Sequence, residues 1–351
     1  MLTPITHILP LTTVVRRRLL PVDGNVLAKI GQKVEPTDVV AETIVGRKHL
    51  IMDIAQELRV SPRQAAALIK LKRGQKVNED ELIAETTGLF RREVKVPTEG
   101  RIAAMGGGKL ILETGGSEVK LLAGMPGVVT EIIKDRGVAI RASGSVTQGV
   151  WGNGQIDTGV MMSILDHPDD PFDVERLDVS IRSSIILGGY VDSPTVLKIA
   201  SELPVRGLIL SSMSPALIPL ASRMTYPIML INGFGRQAMD ASAYKLLTTN
   251  ARRDITLSAV PYDRFYGSRP EIFIALPYSQ EPAEAHELEA FAPGQTVRII
   301  SLTRPARIGT LIQILPSQVT LPNGLRVKPA EVKLESGEQY LVPLTNLEVV
   351  G

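Results

Sequence analysis

The chain has 351 residues, 44% apolar and 22% charged, an ordinary globular composition that at this length suits about two or three domains. Its net charge of +2 provides no global field toward nucleic acid or an acidic membrane surface. The absence of cysteine excludes disulfides, thiolate metal sites, iron–sulfur ligation and a thiol nucleophile.

The N-terminus lacks a secretory pattern, because Arg16, Arg17 and Arg18 follow its first apolar residues and Pro21, Asp23 and Gly24 then end the segment. The most apolar stretch, residues 208–229, is broken by Pro215, Pro219, Arg223 and Pro227. A bilayer helix needs about 20 largely uninterrupted apolar residues, so no membrane span is predicted and the cytoplasm is the expected location.

Residues 31–43 and 74–86 are two copies of one pattern, identical at seven of thirteen positions. Each copy has a turn glycine (Gly31, Gly74), a valine step (Val34, Val77), a polar turn and an apolar pair leading into Ala-Glu-Thr. Tight turns between short strands are the signature of a small all-β unit. The second copy runs on into Val94-Lys95-Val96-Pro97-Thr98-Glu99-Gly100-Arg101-Ile102, a strand, a Pro-to-Gly turn and another strand.

Together these residues resemble the biotinyl/lipoyl-like barrel-sandwich hybrid. The resemblance implies a swinging-arm carrier, but the hairpin tips, Ile44 to His49 and Thr87 to Arg92, lack the context of the modified lysine. Lys48 is therefore read as a solvated turn residue, and no covalent lipoyl or biotinyl group is expected.

Between the copies, apolar spacing at 54, 58, 65, 68 and 69 predicts two short helices broken at Val60-Ser61. Ser61, Pro62 and Gln64 read as N-cap, first-turn proline and capping-box partner. The run resembles the entry of a helix-turn-helix. Arg59 in place of the usual turn glycine, and Ala65, Ala66 and Ala67 in place of base-reading groups, favour a structural insert. Beyond Gly106, glycine-rich turns separate further strands, and Asn153-Gly154 is a hairpin signal beside Trp151.

From residue 181 the period changes to strands alternating with helices of about ten residues, which are βαβ units of a parallel sheet. The carboxyl ends of such strands form the usual ligand crevice. Here they carry Gly188, Gly189 and Asp192, then Ser211 and Ser212, then Asn232, Gly233 and Gly235, the candidate ligand-binding residues. No Gly-x-Gly-x-x-Gly, Gly-x-Ser-x-Gly or histidine falls there, so no catalytic set is assigned. The scattered histidines and the acidic run 166–171 give no metal-ligand spacing.

The last segment reads as five strands around turns at 304–309, 322–324 and 336–338. Gly294, Val297, Arg298, Ile299, Gly309 and Thr310-Leu311-Ile312, with Asn346-Leu347-Glu348, make it resemble an SH3-like barrel with a KOW motif. That resemblance implies contact with RNA or protein, with Arg298, Arg304, Arg307, Arg326 and Lys328 as candidate contacts. Six Lys or Arg stand against four Glu in residues 294–351 and Tyr340 is the sole aromatic, which favours a protein partner over RNA.

The predicted fold class is multidomain β and α/β. A barrel-sandwich hybrid spans 1–160 with a helical insert at 52–70, and a linker follows at 161–180. A Rossmann-like parallel three-layer α/β domain spans 181–276, a second linker 277–293 and a KOW/SH3-like barrel 294–351. The expected function is a non-catalytic adaptor or scaffold binding other proteins through its SH3-like and barrel-sandwich modules, with no cofactor, no metal and no membrane. The alternatives are a nucleic-acid-associated transcription or translation factor and a nucleotide- or anion-binding enzyme or sensor.

Overall fold

A computed structural model of the chain describes residues 2–87, 91–263, 267–300, 307–321, 323–334 and 336–351. With 47% strand against 14% helix it is mostly β and is spread over several sheets; no closed barrel is found among the described residues. Contacts divide it into a larger unit, Met1–Leu19, Leu27–Val40 and Leu122–Gly351, and a smaller one, Leu20–Val26 and Ala41–Leu121. No helix among the described residues is long and apolar enough to cross a membrane.

In the smaller unit a sheet runs in the order Lys48–Asp53, Lys109–Thr114, Gly100–Gly106, Lys76–Val77. Two short helices, Ile54–Leu58 and Pro62–Leu68, close over it. Asp53 caps the first through the Gln56 amide, and Arg59 ends it in the left-handed region at φ 55°. Ser61 and Gln64 form the expected capping box around Pro62. Ile54, Leu58 and Ala65 are buried with Ile102, Leu110 and Leu112, so the insert is core material and its apolar spacing is a packing pattern.

The repeated pattern is a repeated turn. The Gly31 amide donates to Val129 O at 2.8 Å and the Gly74 amide to Ile102 O at 2.8 Å. Gln32 Oε1 accepts from the Lys29 amide at 2.9 Å, and Gln75 Oε1 from the Lys72 amide at 3.0 Å. Lys33–Val34 then pairs with Val128 and Gly127, and Lys76–Val77 with Arg101 and Gly100. The first turn belongs to the larger unit and the second to the smaller.

The larger unit holds an eleven-stranded sheet. Its long strand Gly137–Gln148 is paired along one edge by Ile8–Leu19. Along the other edge it meets Gly127–Ile133 and then Glu271–Ala275. Beyond lie Asp254–Ser258 and the mutually parallel strands Ile156–Ser163, Ser184–Gly188, Gly207–Met213 and Ile228–Phe234. Alternation sends Leu208 and Leu210 to a core with Val196, Leu197 and Ala221. Ile209 and Ile231 go to another core with Ala243 and Leu247, so helices pack on both faces.

A second sheet of seven strands joins the chain ends, with Leu2–Thr6 parallel to Leu347–Val350 and Leu288–Ala290 beside it. Its core is Val297, Leu311, Ala330, Val332 and Val349.

Candidate functional site

The structure brings the predicted ligand residues to one end of adjacent parallel strands and engages Gly188, Gly189, Ser212, Asn232, Gly233 and Gly235 there in closing loops, while Ser211 and Asp192 take no part in them. Gly188 lies under Phe172, whose ring carbons would be 2.4 and 2.5 Å from an added Cβ. Gly189 is crossed by the chain at Asp170–Phe172, and the Phe172 amide donates to Tyr190 O at 2.9 Å. Ser212 Oγ donates to Gln237 O and accepts from the Gln237 amide, both at 3.0 Å.

Asn232 Oδ1 accepts from the Asp240 amide at 3.0 Å. Gly233 and Gly235 take φ values of +114° and +84°, and the Gly235 amide reaches Met213 O at 3.0 Å. That left-handed backbone is the reason for glycine at both positions. Ser211 Oγ is buried without a hydrogen-bond partner, and Asp192 is exposed on the approach to the helix Pro194–Glu202.

Among the described residues, the C-terminal basic side chains do not form one stripe. Arg298 is 2% exposed and points inward. Arg307 Nη1 donates to the Tyr340 hydroxyl at 2.7 Å, with its guanidinium 5.4 Å from that ring centre. Arg326 and Lys328 are exposed, while Arg304 lies outside the described residues.

Two buried ionic clusters of the larger unit were not anticipated from the sequence. In the first, Arg16 Nε donates to Glu271 Oε2 at 2.8 Å, Arg18 Nη2 stands 3.7 Å from Glu271 Oε1, and Arg16 also pairs with Glu287. His7 Nε2 bonds His286 O at 3.1 Å and so must carry the proton. His7 Nδ1 is left to accept from Arg16 Nη2 at 3.4 Å. Burial pushes the Glu271 carboxyl up, but Arg16 and Arg18 hold it below the usual range. Burial lowers His7.

In the second cluster, Glu348 binds Arg269 Nη1 at 2.6 Å, Arg298 Nη1 at 3.5 Å and the Thr6 hydroxyl. Burial raises the Glu348 carboxyl, and the two arginines outweigh it and hold it low. The only sequence signal was the alternation Arg16, Arg17, Arg18, in which the first and third turn inward and Arg17 stays exposed.

Glu271 and Glu348 are buried against their guanidinium partners while Glu287 is half exposed, and pairs of this kind tie together elements remote in sequence. Among the described residues no group of three or more His, Asp or Glu could hold a metal ion. No family model matches the sequence, and no curated protein matches it either.

Proposed function

We propose that the chain is a non-catalytic scaffold that binds other proteins through a barrel-sandwich module at its N-terminal side and an SH3-like module at its C-terminus. The residues between them in sequence, 181–276, make a Rossmann-like α/β layer that serves as frame. The observation that carries this reading is the closure of the strand ends: Phe172 seals Gly188, and Gln237 and Asp240 take the hydrogen bonds of Ser212 and Asn232. A nucleotide or anion needs those amides and hydroxyls free.

The buried charges support the same reading, since each is neutralised within the fold. Nucleic-acid binding has less support, because Arg298 is buried and Arg307 is engaged by Tyr340, leaving Arg326 and Lys328 exposed. Affinity capture of the full chain from its native cells, with nuclease treatment and a salt wash, tests the proposal. Protein partners in fixed ratio are expected to survive both steps. Recovery of nucleic acid alone, lost steeply as salt rises, would replace the scaffold with a nucleic-acid factor, and thermal stabilisation by a nucleotide would restore the crevice.

A further inference from the structure

The eleven-stranded sheet has a break in it. Along one edge of the strand Gly137–Gln148, pairing with Gly127–Ile133 reaches Arg141 and pairing with Glu271–Ala275 starts at Gly144. The registers of both neighbours thus stop short of Ala142 and Ser143. A cleft of about 360 Å³ opens over this break, and a second of about 600 Å³ adjoins it, sharing Pro126, Phe273 and Ala275 as walls. The shared walls place the two clefts side by side, together called the groove below, and Tyr278, 51% exposed, stands at the smaller cleft.

The charges along the groove are unequal in their freedom. Arg206 is 3.6 Å from Asp157 and donates to Thr158 O at 2.6 Å. Arg141 is 2.7 Å from Glu281 and 3.5 Å from Glu284. Glu35 and Asp254 also line the larger cleft, are exposed, and have no ion-pair partner among the described residues. The uncompensated charge of the groove is therefore negative.

Its walls are not a by-product of the repeated turn. At the equivalent places the second copy builds the same hydrogen bonds with Asn78 for Glu35 and Glu99 for Pro126. The turn demands neither the carboxylate nor the proline.

Building on the scaffold reading, we propose that this groove receives an extended, basic segment of a protein partner. A lysine or arginine of that segment enters the larger cleft between Glu35 and Asp254. The neighbouring residues lie over Pro126, Phe273 and Ala275 toward Tyr278. An extended chain can pass from one cleft to the other along their common lining, and opposite charge in the larger cleft fixes the register.

Selection of a random-peptide phage library on the immobilised full chain tests this, followed by titration of the selected peptides onto the chain and onto E35Q/D254N. Enrichment of lysine or arginine is expected, with affinity at least tenfold weaker on the double variant and falling as salt rises. Both substituted residues are exposed, and an unchanged melting curve for the variant verifies its fold. Peptides without basic enrichment, or equal binding to the variant, would overturn the proposal. If E35Q/D254N still captures every protein partner of the unmodified chain, the groove is rejected while the scaffold reading stands.

Discussion

Arg298 Nη2 lies 4.0 Å from Asp240 Oδ2, with the two side chains 2% and 0% exposed, and neither atom has a hydrogen-bond partner. Arg298 is anchored instead through Glu348, which also holds Arg269. Removing one member of a buried ionic set strands the others without compensation, at a cost of about 3–5 kcal/mol. Glu348→Gln is therefore expected to lower stability by about 3 kcal/mol in urea unfolding. Adding Arg269→Met to it should recover part of the loss, since it removes one stranded charge. A Glu348→Gln cost within error of zero would mean that the cluster is hydrated in solution.

Acid should weaken the fold in two stages. His7 is held neutral below its ordinary value of 6.5, so as pH falls through that value the unfolded chain takes up the proton and the folded one does not. Stability therefore declines first from about pH 6.5 downward. Glu271 and Glu348 are depressed below 4.5, so their contribution is complete above about 4.5 and lost as pH falls through their folded values. In denaturation midpoints measured from pH 8 to 3, His7→Gln should flatten the upper stage and leave the lower one. A curve unchanged by His7→Gln would remove His7 from this account.

The sequence made local features legible and hid remote ones. The Ser61–Gln64 capping box and the Gly31 and Gly74 turns are encoded within a few residues of where they act; the apolar runs 181–187 and 207–210 mark strands whose observed bounds are Ser184–Gly188 and Gly207–Met213. Arg298 was read as a surface contact because counting charge along a strand does not say which face each one takes; in Thr296–Ile299 it falls on a buried position. The pairing of Arg16 with Glu271 spans 255 residues, and no short-range pattern could have announced it. The same distance hid the pairing of Leu2–Thr6 with Leu347–Val350. Phe172, which closes Gly188, sits in a stretch that composition marked as linker.

The equivalence of the two turns can be measured. Gly31 and Gly74 have φ values of +80° and +86°, and a side chain in that left-handed region costs about 1–2 kcal/mol. An added Cβ at Gly31 meets nothing within 4 Å, and at Gly74 it meets only the Arg101 guanidinium, at an ordinary contact distance of 3.5 Å. Gly31→Ala and Gly74→Ala should thus each cost about 1 kcal/mol from backbone strain alone. Urea unfolding of the two variants reads this. Costs differing by more than about twofold would mean that the turns are not equivalent in solution.

The seal at the strand ends has its own test in Gly188. An alanine there would drive its methyl into Phe172, and overpacking of this kind costs about 1–3 kcal/mol. Phe172→Ala alone should cost about 3–5 kcal/mol by emptying a buried ring site. Because the two substitutions meet at one contact, they should couple: G188A/F172A is expected to lose clearly less than the sum of the single losses. Thermal unfolding of the two single variants and the double variant measures that coupling. Strict additivity, with Gly188→Ala costing nothing, would mean that Phe172 stands away from the strand end and that the crevice is open to a ligand after all.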